Sequence, residues 1–263
     1  MSSKNIDIKI SEDLVPYLYI LKGGETVSDK LTLSAVVGLF TTKVITLEKA
    51  AELTGKSIWD FIDILKVYGI PWGEYEEDDM DMDDVFLSKL GEKWMKKIDI
   101  ICNTSPIIGL ISIDRLYLLW DLFGSIIIPE AVFNELCADS VNHQDEIKRI
   151  KECVNSGKII IYKVKNADTV KALYGRLHFG ELEVIVGAKE LGIDFAIIDE
   201  HAARKMASEF LIDTIGVLGI LSLAKTKGLI NLVKPEMDKL ISKGYRISDK
   251  LYNQILARNN EVI

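Results

Sequence analysis

The side chains most able to do chemistry in this sequence are an amide and a set of acids placed at the ends of apolar runs. Asn103 closes "IDIIC" and Asp199 follows "FAII", while "PEAVFNELC" carries Glu130 and Glu135 and "FGELEVIVGAKELG" opens with Glu181 and Glu183. If the runs are parallel strands, Asn103 and Asp199 project beyond the carboxyl edge of one sheet, where ligands of open α/β folds collect. The two helices bring their acids to the same edge. Carboxylates crowded in one place repel one another and tend to take up protons unless positive charge or bound cations offset them. Each residue also has a local use: Asn103 as a turn cap, Glu130, Glu181 and Glu183 as answers to helix dipoles, and Glu135 as an exposed helix acid. His143, His178 and His201 have no zinc-ligand spacing, and neither a P-loop nor a GxSxG turn occurs. His201 reads as a helix-start surface residue rather than a base; Arg204 and Lys205 either contact phosphate or solvate a helix.

The elements that must position these residues follow from hydrophobic patterning. The β-rich runs "IDIIC", "SIIIP", "KIIIYKV", "DFAIID" and "DTIG" alternate with helical stretches, the pattern of a parallel sheet covered on both faces. Ser105 and Pro106 read as a cap and first-turn pair, Gly124 as a helix end and Pro129 as a helix start. The preceding part differs in kind. "IDIKI" alternates like a short strand, "SEDLVPYLYIL" starts from a Ser11 cap, and a longer helix is expected over 28–42. "TLEKAAELTG" and "KSIWDFIDILKVYG" then read as two short helices turning at Gly55. Their spacing fits a helix-turn-helix; it fits equally an αα-hairpin in which Ala50, Leu53, Trp59, Ile62 and Leu65 close a small core. Lys49, Lys56 and Lys66 give only a thin positive rim, and Asp60 and Asp63 oppose phosphate.

"EYEEDDMDMDD", residues 74–84, places eight acids among eleven residues with no basic one, and a domain boundary is expected near residue 85. Residues 86–97 then form an amphipathic connection into a second domain over 98–263. The chain of 263 residues has a net charge of -8, so its overall field repels a phosphate backbone unless local charge reverses it. Cys102, Cys137 and Cys153 form no CxxC pair and suggest small buried hydrophobes rather than a zinc or disulfide framework. No apolar run approaches the roughly 20 residues of a membrane span, and the first residues lack a signal-peptide core, so a cytoplasmic location is expected.

Taken together, "ICNTSP", "IPEAVFNEL", "GELEVIVGAKELG" and "IIDEHAARKMA", followed by "TIGVLGILSLAKTKGLI" and "ISKGYRISDKLYNQIL", give residues 98–263 a resemblance to PIN domains. More closely, they resemble the toxin-type subfamily that opens on "NTSP" and carries a "GExE" turn. The resemblance implies an α/β fold with a PIN-like parallel sheet flanked by helices. It also implies Mg²⁺- or Mn²⁺-dependent RNA cleavage, with Asn103, Glu135, Glu181 and Asp199 in the four ligand positions and Glu183 in reserve for the third. Hard divalent cations prefer oxygen ligands, activate water and neutralise charge on the phosphodiester. Asn103 departs from the usual aspartate, removing a charge while keeping a carbonyl oxygen; weaker metal binding follows, although the subfamily often begins with Asn.

Residues 1–85, a small mainly α-helical domain, resemble a prokaryotic antitoxin family on "ITLEKAAELTGKSIWDFIDILKVYGIPWGEY" and the acidic tail. Together the resemblances imply an antitoxin fused to its toxin and inhibiting it through an intramolecular contact favoured by the tether. Lys89, Lys93, Lys96 or Lys97 would pair with toxin-edge carboxylates, or the acids would mimic RNA, or the acidic run would be a solvated spacer. The competing function is an inactive PIN-fold dimerisation module in a regulator that binds DNA through residues 47–67. The helices around 114–122 would serve either a homodimer or the core.

Overall fold

The computed structural model describes residues 9–93, 99–175 and 177–261. Among the described residues seven strands run in chain order: β1 (Gly73–Tyr75), β2 (Ile101–Cys102), β3 (Ile126–Pro129), β4 (Ile159–Tyr162), β5 (Phe195–Ile197), β6 (Asp213–Ile215) and β7 (Tyr245–Ile247). Five of them form one parallel sheet in the order β4-β3-β2-β5-β6, with Ile101 of β2 opposite Ile127 on one side and Ala196 on the other. The expected strands are therefore present, with helices between them. Ile100, Ile101, Ile126, Ile128, Ala196 and Ile197 are fully buried, which explains why these runs are apolar rather than alternating. The strand order reverses direction at β2, so its junction with β5 is the sheet's switch point and opens a crevice at the carboxyl ends.

The helical part ahead of the sheet is close to expectation. Helices Val15–Ile20, Val27–Thr41, Leu47–Thr54 and Ile58–Val67 form, the third capped by Thr46 and closed by Gly55 at φ 64, the fourth capped by Ser57. The strand expected over "IDIKI" lies largely outside the described residues. Leu53 is 44% exposed, so it does not join the other four residues in the hairpin core.

The acidic segment departs from a solvated spacer. Glu74 and Tyr75 lie in β1, which pairs in parallel with β7, and the helix Glu77–Lys93 begins directly after it. Glu77, Asp78 and Asp79 occupy its first turn, where they complement the helix dipole, and Asp79 Oδ2 accepts from Glu76 N–H at 2.8 Å. Phe86 and Leu90 on this helix are fully buried, Phe86 meeting Phe195 of β5 edge-on at 5.2 Å between centroids. The boundary expected near residue 85 thus falls inside a helix that belongs to the core. A single buried apolar cluster runs from Leu33 and Phe61 through Phe86 and Leu90 to the sheet and Leu256. Each fully buried large apolar side chain contributes roughly 1.5–3 kcal/mol, so the two parts stabilise each other.

Two smaller expectations are corrected and a third is decided. Ser105 does not cap its helix: Thr104–Ser112 starts after Asn103, whose side chain makes no capping bond, while Ser105 Oγ donates elsewhere. Lys89 pairs with Asp213 at 2.7 Å, at the amino end of β6 rather than the carboxyl edge; the side chains of Lys93, Lys96 and Lys97 lie outside those described. Of the two uses offered for the helices around 114–122, Leu116, Leu118, Leu119 and Leu122 take the core.

Candidate functional site at the carboxyl edge of the sheet

Asn103 follows β2 and Asp199 lies two residues beyond β5, so the two flank the switch-point crevice, tied by Asn103 N–H donating to Ile197 O at 2.9 Å. Asn103 is completely buried and neither Oδ1 nor Nδ2 has a partner. A buried amide left unpaired costs about 1–3 kcal/mol, and the side chain does not offset it with the capping bond the sequence suggested. Asp199 is 5% exposed; Oδ1 accepts from Val217 N–H at 2.8 Å and Oδ2 has no partner. Burial pushes its carboxyl up to about 7, opposed by the Val217 bond and Arg204.

Glu135 and Glu181 are brought together on the other flank. Helix Phe179–Leu191 starts with a capping box in which His178 N–H donates to Glu181 Oε2 at 2.7 Å, which fixes Glu181 in the buried first turn. Glu135, from helix Glu130–Leu136, accepts from Thr104 Oγ1 and stands 2.7 Å from His178 Nδ1. That short, charge-assisted contact outweighs the 3.3 Å approach of Gly180 N–H to the same nitrogen. Burial works against the His178 cation, but Glu135, Glu48 and Glu52 hold it above the usual histidine range. A Cβ at Gly180 would collide with the Glu135 carboxylate, so any larger residue there requires that side chain to shift. Glu183 is engaged elsewhere, accepting from Ala131 N–H at 3.2 Å, and Glu130 pairs with Lys163 at 3.3 Å on the surface.

The residues the sequence reading missed come from the first part. Glu48 is 2% exposed and accepts from Ser105 Oγ; Thr46 Oγ1 donates to Glu181 Oε2 at 2.9 Å. Both belong to the N-terminus of helix Leu47–Thr54, which enters the carboxylate cluster. Burial and the adjacent Glu135 raise the Glu48 carboxyl to about 7, and burial together with Glu48 raises that of Glu181 well above the carboxylate range. The short helix they open was legible; their insertion between distant acids was not. The following helix seals the contact: Trp59 Nε1–H donates to Leu136 O at 3.0 Å, its ring stacks on His143, Ser140 Oγ donates to Asp60, and His143 lies 3.0 Å from Asp63.

Arg204 is not the helix-solvating surface cation that one of its two readings expected. It is fully buried, with Nη2 donating to Asp83 Oδ1 at 2.5 Å and Nε to Thr214 Oγ1 at 3.1 Å. Asp83, 3% exposed, also accepts from Gly216 N–H at 2.9 Å and Tyr75 Oη at 2.7 Å. Lys205 lies 3.7 Å from Asp78 on the surface. His201 does begin a helix, as expected, but its Nδ1 lies 2.8 Å from buried Asp79.

Asn103 Oδ1, Glu48 Oε2, Glu181 Oε1 and Asp199 Oδ2 are buried acceptors without donors, the chemistry a hard cation satisfies. Among the described residues, however, no three His, Cys, Asp or Glu side chains stand close enough to share one metal ion. The donor set fits such an ion; its spacing, with Thr46 and Glu48 in place, is not convergent. No helix among the described residues is long and apolar enough to cross a membrane.

Comparison with known proteins finds a family for each part of the chain. A family model described as a PIN domain matches residues 99–261, and one described as an uncharacterised protein family, UPF0175, matches residues 1–88. Neither a curated protein nor a solved structure matches the chain.

Proposed function

From the premise that this chain belongs to the PIN-domain family and carries a UPF0175 antitoxin-like region ahead of it, we propose a metal-dependent endoribonuclease held latent in cis. PIN domains are generally nucleases, which supports a hydrolase; RNA as substrate and a divalent ion as cofactor are the finer reading. In the active arrangement Glu135, Glu181, Asp199 and the Asn103 carbonyl oxygen would hold Mg²⁺ or Mn²⁺. The ion would supply an activated water and neutralise charge on the phosphodiester. Thr104 and His178 orient Glu135, the His178 amide orients Glu181, and Val217 N–H orients Asp199. With only three carboxylates the set still suits an ion that keeps waters and substrate phosphate as further ligands.

The observation that carries latency is the entry of Thr46 and Glu48 into the carboxylate cluster, where Thr46 occupies a Glu181 oxygen and Glu48 adds a fourth acid. An added acid raises repulsion and favours protons over an even set of ligands. The DNA-binding alternative requires helix Ile58–Val67 to face a groove, whereas Trp59, Asp60 and Asp63 are engaged with residues 136–143.

The test is cleavage of a mixed structured-RNA pool by the full chain in Mn²⁺ or Mg²⁺, against a Thr46→Ala/Glu48→Ala variant and the same variant with Asp199→Asn. Cleavage is expected from the double variant and not from the triple. Absence of cleavage from all three chains, each folded, would overturn the nuclease reading.

A further inference from the structure

Beside the carboxylate cluster lies a second polar pocket that metal chemistry does not use. Gly216 and Gly219 bracket the first turn of helix Val217–Thr226. A Cβ at Gly216 would stand 2.7 Å from Asp199 Oδ1 and 3.0 Å from Arg204 Nη1, and one at Gly219 would stand 2.5 Å from Asp83 Oδ2. Both positions are therefore bare so that charged groups can approach the backbone. Arg204 Nη2, Gly216 N–H and Tyr75 Oη all donate into this space, and its occupant is the carboxylate of Asp83 from the acidic helix.

The fit of that occupant is incomplete. Arg204 is completely buried, yet its Nη1 has no hydrogen-bond acceptor; the nearest carboxylate oxygen beyond Asp83, on Asp79, is 3.8 Å away. Asp83 Oδ1 takes both the Nη2 and the Gly216 donors; Nη2 also donates to Asp79 O at 3.1 Å and Thr214 O at 3.2 Å, and Nε to Thr214 Oγ1, so Nη1 is the arm of the guanidinium left without an acceptor. A guanidinium is a fork that matches two oxygens of a phosphate at once, and a helix N-terminus adds donors and a favourable dipole. A cavity of about 490 Å³ opens alongside between the acidic helix and helix Val217–Thr226, lined by Asp83 and Gly219 and by Lys227 and Arg258.

We propose that Arg204, Gly216 and Gly219 form a phosphodiester-binding cradle for RNA, and that Asp83 occupies it as a carboxylate stand-in. This rests on the nuclease reading for the identity of the ligand as RNA. The cradle lies next to Asp199, whose Oδ1 would stand 2.7 Å from a Cβ at Gly216, so a phosphate seated in it is held beside that carboxylate. Arg204 is thus a substrate-binding residue whose charge is cancelled by the chain's own acidic helix. This accounts for a basic residue buried in a protein of net charge -8.

The test measures binding, not cleavage. A fluorescent single-stranded RNA oligonucleotide is titrated in EDTA with the full wild-type chain, Asp83→Ala, and Asp83→Ala/Arg204→Gln, folding being checked by circular dichroism. Asp83→Asn, which keeps the shape and removes the charge, replaces Asp83→Ala if the latter does not fold. At least tenfold tighter RNA binding by the Asp83 variant, lost in the double variant and competed by inorganic phosphate, is expected. An Asp83 variant that binds no tighter than wild type, or a gain that survives loss of Arg204, overturns the cradle. Mn²⁺-dependent cleavage with no Arg204-dependent binding would remove the cradle while leaving the nuclease reading intact; the reverse result would keep the cradle as an RNA site and remove the nuclease.

Discussion

Replacing Trp59 by alanine tests whether the helical hairpin is held against residues 136–143 of the PIN domain. Trp59 is 3% exposed, its ring lies 5.1 Å from that of His143, and its indole N–H donates to Leu136 O one residue beyond Glu135. Truncating a buried aromatic side chain costs about 3–5 kcal/mol, a large share of a total stability of about 5–15 kcal/mol. At about 1.4 kcal/mol per factor of ten, the docked-to-open ratio falls by roughly two to nearly four powers of ten if the loss acts on docking. Trp59→Phe keeps most of the ring and loses the hydrogen bond, with an expected cost of about 1–2 kcal/mol. Urea unfolding gives the total cost, and hydrogen exchange across Glu130–Leu136 reports local release. Both should rank wild type, Trp59→Phe and Trp59→Ala in that order, with Mn²⁺-dependent RNA cleavage rising in the same order. A Trp59→Ala cost below about 1 kcal/mol with unchanged exchange would refute the idea that this side chain fastens the hairpin.

Other perturbations address the cluster itself. Asn103→Asp adds a charge at a fully buried site, so in EDTA it should cost about 1–3 kcal/mol, while calorimetry should show Mn²⁺ binding at least about tenfold tighter; unchanged affinity would remove position 103 from the ligand set. Glu48, raised from 4.5 to about 7 by burial and Glu135, binds its proton more tightly in the folded state. Its contribution therefore declines as pH rises through that window and is flat above it, and Glu48→Gln should flatten the slope and gain up to roughly 3 kcal/mol at pH 8. Urea midpoints that follow the same pH profile in both proteins would contradict this account. Gly180→Ala places a methyl group against the Glu135 carboxylate and should cost about 1–3 kcal/mol while weakening Mn²⁺ binding; an indifferent variant would show that the close approach is not needed.

Sequence alone determined the local elements and the order in which they carry chemistry. Apolar runs in the second part mark strands buried on both faces, and Gly55 marks the turn between two short helices, because helix ends depend on neighbours within a few residues. Asn103 and Asp199 could be placed at the carboxyl edge because their side of a parallel sheet follows from strand direction. What tertiary structure decided is which charges meet. Acids at 77–79 look the same in a solvated spacer and in a helix first turn, and only the burial of Phe86 and Leu90 against the sheet selects the helix. Arg204 reads as a surface cation until Asp83, far away in the chain, is laid across it. Glu48 and Ser105 are ordinary helix-end residues until docking desolvates them side by side. Charge interactions strengthen steeply once water is excluded, and exclusion of water is a property of packed surfaces, not of local sequence, so which charges meet at this edge is written only in three dimensions.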